Sequence, residues 1–471
     1  MSGQIKVRNI RNEYIHSFVW NFIIIAIMLI GADILLHQAG PIGDRTMALF
    51  YGTDGLITLL FMYWMEKYSV TISGLYEGTV INVLSNIFTL IIVSFVNLLF
   101  FFSKEKLIMD CILAVAKMIG IYITDLVLYS LRNNPKLHRK PKMLIIGAAA
   151  KNFMRMKRIK YGVTENYDSW YESIEGMTID EVKAFINDKF PQYEAICVLD
   201  GVSEEEYALA VGKATELNKD LFIVPKMIDV GKTNARIARF DDVLTLYMPE
   251  KVLSGIEKFI KRLIDIVLSL VGVVIAAIPM VVIAVLIKLT SKGPVFYKQT
   301  RYTIGKKEFE IYKFRTMIPD AEKLSGPKFA EKDDPRITPI GKILRACRLD
   351  ELPQILNILK GDMSVVGPRP ERPVFVEQFE QEIENYNYRF EVKAGLTSLS
   401  HVYGRYSTYI HDRTYYDLFY ITHYSLLLDL KIILLTAKTM LLKSAAEGED
   451  DFKEKTVAQE TTEVELVEKD S

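Results

Sequence analysis

Two adjacent acids, Asp350 and Glu351, open the stretch Asp350-Glu-Leu-Pro-Gln-Ile-Leu-Asn-Ile-Leu-Lys-Gly361. Aspartate favours a helix N-cap, proline is tolerated in the first turn, and glycine suits the position just past the last turn. The pattern predicts a helix of about ten residues that begins at Asp350. At that place the positive end of the helix dipole would lower the Asp350 pKa and keep it anionic, as a nucleophile or a metal ligand requires. Glu351 supplies a second carboxylate, and a close acidic pair suits a hard divalent cation such as Mg²⁺. Taken alone, the same pattern also describes an ordinary capped helix.

Cations cluster around that pair in the sequence. Arg369 stands between Pro368 and Pro370, whose rings stiffen the backbone and can present its fork to a phosphate at a small entropy loss. Lys313 and Arg315 alternate in Tyr312-Lys-Phe-Arg-Thr-Met317, which reads as a strand with both pointing to one face. Lys342, Arg345 and Arg348 follow the run Asp334-Pro-Arg-Ile-Thr-Pro-Ile-Gly341 at a spacing of three, along one side of a predicted helix. Each group could be a solvated face. Together, around two acids, they point to an anionic substrate.

The elements that must position these residues include membrane segments. Four long apolar runs, about Phe18–His37, Met47–Met65, Leu84–Phe102 and Leu107–Leu131, each approach the length that crosses a hydrocarbon core. Asp54, Asp110, Lys117 and Asp125 lie inside the second and fourth runs and are expected to face neighbouring helices. Lys6, Arg8 and Arg11 precede the first run, and Arg132, Lys136, Arg139, Lys140 and Lys142 follow the fourth, so the positive-inside rule puts both ends in the cytoplasm. A cleaved signal peptide is not expected, because no small-residue cleavage site follows the first run.

A fifth run, Ile266–Ile287, carries no charge, yet Lys258, Lys261 and Arg262 precede it and Lys288, Lys292 and Lys298 follow. Both ends then read as cytoplasmic. Pro279 can break the helix into two short arms, which predicts a re-entrant hairpin rather than a crossing. A lipid surface beside the anion-binding residues makes phosphate transfer at the bilayer the natural chemistry.

The soluble remainder has its own organisation. Met143-Leu-Ile-Ile-Gly147, Ala195-Ile-Cys-Val-Leu199 and Leu221-Phe-Ile-Val-Pro225 alternate with helical stretches, as in a parallel, nucleotide-binding-like sheet. Gly147-Ala-Ala-Ala-Lys151 lacks the second and third glycines that let a backbone approach a pyrophosphate, so packing or dimerisation is the favoured use of this sheet. The 28 residues from Ser444 hold ten acids and three lysines and read as a disordered tail. Lys plus Arg and Asp plus Glu are 58 each over the chain, so no global basic field recruits nucleic acid. The three cysteines are odd in number and far apart, which excludes a disulfide framework and a paired CxxC site.

From about Lys258 to Lys443 the sequence resembles the bacterial sugar transferase family, the monotopic phosphoglycosyl transferases. The matching residues are Lys261-Arg-Leu-Ile-Asp265, Tyr312–Met317, Asp334–Gly341, the Asp350-Glu351 dyad, Gly361-Asp-Met-Ser-Val-Val-Gly-Pro-Arg-Pro370 and Tyr416-Asp-Leu-Phe-Tyr-Ile421. The order of membrane runs, sheet and core also resembles the large members that initiate capsule, exopolysaccharide or O-antigen synthesis.

The resemblance implies transfer of a sugar-1-phosphate from a UDP-sugar to polyprenyl phosphate. Asp350 would attack the β-phosphate, UMP would leave, and Glu351 would support a Mg²⁺ ion or the acceptor. Lys313, Arg315, Arg336, Arg348, Arg369 and Asp417 would bind substrate or phosphate, while Lys261, Arg262, Asp265 and Pro279 would set the hairpin. Mg²⁺ would sit at Asp350 and Glu351.

The implied architecture is an α+β membrane protein of the bacterial inner membrane. Residues 1–140 would form a four-helix transmembrane bundle, 141–257 a Rossmann-like α/β domain, 258–292 the re-entrant hairpin, 293–443 a cytoplasmic catalytic domain and 444–471 the acidic tail. Its partners would be the two substrates, membrane lipid and a second copy in a homodimer.

The family usually reads Pro-Gly-Ile-Thr-Gly-Trp-Ala-Gln where this chain has Ala394-Gly-Leu-Thr-Ser-Leu-Ser-His401, and Thr303 stands where a glycine is usual. These departures bear on sugar identity and loop geometry more than on the dyad. His401 could replace the amide as a hydrogen-bond donor or be structural. Two other readings are a catalytically weak membrane scaffold or regulator of polysaccharide assembly and a processive glycosyltransferase, which would move sugar without phosphate.

Overall fold

The computed structural model describes residues 6–7, 10–38, 45–67, 75–100, 104–134, 138–147, 166–199, 201–225, 236–240, 243–247, 253–318, 334–383, 385–404 and 410–441. Residues 148–151 of the glycine-poor turn and the acidic tail lie outside them. The chain divides into two compact units, Met1–Lys226 and Met227–Ser471.

The first unit begins with helices α1 (Ile10–Gln38), α2 (Arg45–Trp64), α3 (Leu75–Phe100) and α4 (Lys104–Arg132). α1 packs on α2 and α4, and α3 packs on the same two. Ile91, Phe95, Ile108, Ile112 and Ile119 are exposed, whereas the polar residues turn inward. Lys117 Nζ lies 2.5 Å from Asp54 Oδ2 and donates to Thr58 Oγ1 at 3.0 Å. Lys67 pairs with Asp125 at 2.7 Å, and Asn97 Nδ2 donates to Asp110 Oδ2 at 3.0 Å. Apolar outside and polar inside is the inverse of a water-soluble bundle, and the buried charges find partners between the helices. Among the described residues, Leu75–Leu99, Leu107–Arg132 and Gly255–Thr290 are long and apolar enough to cross a membrane, and Ile15–Gly31 is a shorter apolar stretch.

Strand β1 (Lys6–Val7) pairs in parallel with β2 (His138–Arg139), joining the residues before α1 to those after α4. Strands β3 (Lys142–Gly147), β4 (Asp168–Ser173), β5 (Ala195–Val198) and β6 (Asp220–Ile223) then form a parallel sheet in the order β4-β3-β5-β6. Helices α5 (Ile179–Lys189) and α6 (Glu204–Glu216) open with reciprocal caps, Thr178 with Glu181 and Ser203 with Glu206. Val182, Ile186, Ala210 and Ala214 cover one face of the sheet at Leu144, Ile146, Ile196 and Val198. Met143, Ile145, Ala195 and Cys197 fill the other, so β3 reads as an unbroken apolar run because both its faces are covered. Burial pushes the Cys197 thiol up to about 12. A Cβ on Gly147 would stand 2.8 Å from Leu199, so that glycine serves packing.

The second unit opens with the antiparallel pair β7 (Arg236–Phe240) and β8 (Val243–Tyr247). Helix α7 (Gly255–Thr290) follows, capped by Ser254 and Glu257. Contrary to the expectation of two short arms, α7 is one helix with Pro279 inside it. A proline removes one backbone hydrogen bond, and apolar helix formers on both sides carry the winding through. Lys261 and Asp265 near its start are buried, as are Ile283 and Ile287 near its end, while Val274, Ile275 and Ile278 between them are exposed.

The remaining elements build the platform for the site. Strands β9 (Phe296–Tyr302) and β10 (Glu308–Phe314) form an antiparallel hairpin. Helices α8 (Pro339–Ala346) and α9 (Gln354–Lys360) lead to β11 (Ser364–Val366). Helix α10 (Pro373–Glu382) precedes β12 (Gly395–Thr397), which pairs in parallel with β11. Helices α11 (Leu399–Tyr403), α12 (Ile410–Thr422) and α13 (Leu426–Leu441) complete the unit. Ile283 and Ile287 of α7 pack with Phe314 and Leu344, so β10 and α8 rest on the end of that helix.

Candidate active site

Local backbone geometry brings the acids and cations together. Helix α8 starts at the Thr338 cap, with Pro339 at its first position. A Cβ on Gly341 would meet the Thr316 carbonyl oxygen at 2.1 Å, so only glycine lets α8 lie directly on the segment after β10. The helix ends at Ala346, and Arg348 adopts a left-handed backbone with φ of 53°. Leu349–Glu351 then form one 3₁₀ turn, and α9 begins at Gln354 behind Pro353. Asp350 is therefore not the cap of a ten-residue helix. The left-handed step at Arg348 turns the chain early, and the dyad winds as a tighter turn ahead of a seven-residue helix.

The charge environment of the two acids differs. Burial raises the Asp350 pKa above its usual value, with Lys313 the largest opposing influence, so the dipole-lowered carboxylate expected from a cap is not what the fold produces. Among the described residues its carboxylate accepts no hydrogen bond. Burial also works against ionisation of Glu351, but Lys313 and Arg369 outweigh it and hold that carboxyl well below the usual range. Lys313 Nζ donates to Glu351 Oε1 at 2.8 Å, and Arg369 Nη2 approaches the same oxygen at 3.4 Å.

Several further contacts fix Arg369. Its Nη1 meets His401 Nε2, and its carbonyl accepts from Arg389 Nη2 at 2.7 Å. A Cβ on Gly367 would strike the Lys393 carbonyl oxygen at 2.2 Å, and one on Gly395 would strike Gly367 N at 2.1 Å. The two glycines let the Gly-Pro-Arg-Pro segment press backbone to backbone against β12, which sets the height of Arg369.

Other predicted residues have structural partners. Lys313 and Arg315 do not share a destination, because β10 ends at Phe314 and the alternation stops there. Arg315 donates to the Ser291 and Lys292 carbonyls at 3.0 and 2.9 Å, at the end of α7. Arg336 pairs with Asp334 at 2.5 Å, and this bonding pushes Asp334 down to about 2. Arg345 donates to Thr316 Oγ1 at 2.9 Å, and Arg348 lies beyond the helix rather than in line with Lys342 and Arg345. Asp417 is buried 3.0 Å from Arg389; burial, only partly opposed by Arg389, pushes its carboxyl up to about 6.

The residues at the start of α7 tie it to this platform. Lys261 Nζ reaches Asp429 at 2.6 Å and the Val366 carbonyl at 3.2 Å. Arg262 donates to the Ile358 and Leu359 carbonyls at 2.6 and 2.8 Å, closing the end of α9. Asp265 accepts from Ser364 Oγ and Val365 N at 3.0 and 2.9 Å. Pro279 is exposed and belongs to no part of the charged cluster. His401, considered above as a donor, instead offers an acceptor nitrogen to Arg369, and Arg389 was not foreseen. Nothing in the spacing of either residue marks it, since both act across long sequence separations.

The sequence model of the family described as bacterial sugar transferase matches residues 256–443, the stretch that carries every contact just described around the dyad. A putative undecaprenyl-phosphate N-acetylgalactosaminyl 1-phosphate transferase of Bacillus subtilis (strain 168) is 52% identical over 130 residues, 28% of this chain and 72% of that relative. The chain belongs to the bacterial sugar transferase family. Two longer relatives match the sugar transferase over more residues. A UDP-N-acetylgalactosamine-undecaprenyl-phosphate N-acetylgalactosaminephosphotransferase of Aeromonas hydrophila is 43% identical over 191 residues, 40% of this chain and 45% of its own. A UDP-glucose:undecaprenyl-phosphate glucose-1-phosphate transferase of Klebsiella pneumoniae is 37% identical over 243 residues, 50% of this chain and 52% of its own. The chain thus spans about half the length of these two relatives.

Proposed function

We propose that this sugar transferase moves a sugar-1-phosphate from a UDP-sugar to polyprenyl phosphate, giving polyprenyl-diphosphate-sugar and UMP, the first membrane step of a surface polysaccharide. The observation that carries the reading is Asp350, a carboxylate without a hydrogen-bond donor among the described residues, set beside Lys313, Arg345 and Arg369. A carboxylate meant only for structure would be bonded; this one is left available to a reacting atom.

An Asp350 oxygen forms a bond to the β-phosphorus while the bond from that phosphorus to the bridging oxygen breaks, and UMP departs with the electron pair. A phosphosugar-aspartyl intermediate remains. An oxygen of polyprenyl phosphate then attacks the same phosphorus, and the bond to Asp350 breaks to restore the carboxylate. Lys313 and Arg369 supply positive charge where phosphate charge gathers, and Glu351 holds both cations in place.

The dyad also suits Mg²⁺. That ion usually takes one or two protein carboxylates and completes its shell with phosphate oxygens and water. Among the described residues no group of three or more His, Cys, Asp or Glu offers a self-sufficient site. Asp350, with Glu351 beside it, would hold the ion, which when bound would neutralise diphosphate charge.

The architecture proposed with this function has four crossing helices in residues 1–140 and a Rossmann-like domain at 141–257, used for dimer contacts or regulation. The β1–β2 pairing supports an even number of crossings, because it returns both flanks of the helical region to one side, and the basic flanks put that side in the cytoplasm. A re-entrant α7, continuous through Pro279, is supported by the docking of both its end regions on one platform, Lys261, Arg262 and Asp265 on α9 and β11 and Ile283 and Ile287 on β10 and α8. The membrane is then the bacterial inner membrane, and residues 293–443 face the cytoplasm beside the lipid phosphate.

Purified protein with Mg²⁺, polyprenyl phosphate and a panel of UDP-sugars should release UMP with one donor and none after Asp350→Ala. Silence across the panel from folded protein would replace this reading with the scaffold.

A further inference from the structure

Two of the acceptors that hold Arg369 differ in charge. Glu351 Oε1 is 3.4 Å from Nη2, and that oxygen already receives Lys313 at 2.8 Å. His401 Nε2 takes Nη1 more closely. Because Nε2 accepts, the ring proton lies on Nδ1, which is 3.2 Å from Ser398 Oγ. Ser398 in turn caps α11 by accepting the His401 backbone N–H at 3.1 Å, so the cap and the ring are fixed by one hydroxyl. Behind the fork, Arg389 anchors the Arg369 carbonyl and is itself paired with Asp417.

The surroundings keep that ring uncharged. Burial, then Arg369 and Arg348, with Arg413 adding to them, lower the His401 pKa well below its usual value against the opposing influence of Glu351. The distinction matters electrostatically. A guanidinium oriented by a close carboxylate brings a nearly neutral pair to its ligand, whereas one oriented by a neutral ring brings its whole charge.

We propose that His401 is a positioning residue that aims Arg369 through an uncharged acceptor, so that the fork keeps its positive charge for a phosphate group of the bound substrate. The inference rests on the phosphoglycosyl-transfer reading for its substrate, and on the Arg369–His401 contact for its geometry. Glu351, matched first by Lys313, can release Nη2 to a diphosphate oxygen while His401 retains Nη1.

The test compares His401→Gln, His401→Ala and His401→Glu in the full chain, reading UMP release and, separately, affinity for inorganic pyrophosphate by calorimetry. Alanine should lower kcat/KM and pyrophosphate affinity by about 10-fold or more, since the fork loses its aim. Glutamine, a neutral acceptor, should recover most of that loss. Glutamate keeps an acceptor but cancels the charge, and should be no better than alanine. Equal performance of the glutamate and glutamine variants, or an alanine variant indistinguishable from the parent, would overturn the proposal. So would a glutamine variant as poor as alanine at an unchanged thermal midpoint, which would reduce His401 to packing. If no UDP-sugar yields UMP yet the pyrophosphate ranking holds, the catalytic reading fails and the phosphate clamp stands. Turnover with a flat ranking sinks the clamp alone.

Discussion

The buried charges packed between the first four helices and those around Asp350 both set acids against bases and end in opposite states. Between the helices two pairs are matched acid to base, Asp54 with Lys117 at 2.5 Å, closed by the Thr58 hydroxyl, and Asp125 with Lys67 at 2.7 Å, and Asp110 accepts from the Asn97 amide. Around the dyad only Glu351 is bonded, and it draws on Lys313 and Arg369 together, while Asp350 beside it is left without a donor among the described residues. Charges paired to completion hold helices in register. Charges left incomplete are available for chemistry.

The comparison breaks most sharply at Asp350. Asp350→Asn should reduce UMP release by about 1,000-fold or more while leaving the thermal midpoint unchanged or higher, because burial of a carboxylate that accepts no hydrogen bond among the described residues costs stability. A loss of activity with an equal loss of folded protein would instead class Asp350 with the structural pairs. The complementary change is Lys117→Met, which leaves Asp54 buried without its partner and should cost about 3–5 kcal/mol in unfolding experiments. Adding Asp54→Asn should restore most of that stability, and turnover per folded molecule should stay near the parent value throughout. A double variant no better than the single one would show that the pair does more than satisfy itself.

Protonation sharpens the contrast further. Asp350 has a raised pKa and Glu351 a depressed one, so as pH falls Asp350 gains its proton first. The acid limb of kcat/KM should show a slope of one proton and lie above the ordinary aspartate range, about 3.9. For stability the sign is opposite at the partner: Glu351 contributes above its unfolded-state value, and that contribution fades as pH drops through its lower folded value. An acid limb that coincides with acid unfolding would remove the distinction between the two carboxylates. The smallest effect belongs to Arg348, whose φ of 53° is costly for any side chain. Arg348→Gly should be about 1 kcal/mol more stable than Arg348→Ala, a difference readable in denaturant midpoints, with both lacking the guanidinium.

Some of this arrangement is legible in the sequence. Asp54, Lys117 and Asp125 had to find neighbours because charged groups in apolar helices require them, and they do. The ordered stretches around Gly341, Gly361 and Pro370 marked the platform, and the Met143–Gly147 run marked a strand of a parallel sheet. Less visible were features decided by a single backbone step. The left-handed turn at Arg348 displaced the helix start from Asp350 to Gln354, and the end of β10 at Phe314 sent Arg315 to α7 instead of the dyad. His401 and Arg389 lie 32 and 20 residues from Arg369, and only the folded chain brings them to it.

The grip of α7 on the platform has a mechanical consequence. Arg262 closes the end of α9, Asp265 holds β11, and Lys261 holds the Val366 carbonyl just before the Gly-Pro-Arg-Pro segment. The dyad and Arg369 hang from these same pieces of backbone. On the proposed reading, a change in bilayer thickness that tilts or lifts α7 would carry the proposed reacting groups with it as one load. Their working depth against the lipid headgroups is then set by hydrophobic matching along a single helix, much as a keel sets the draught of a hull.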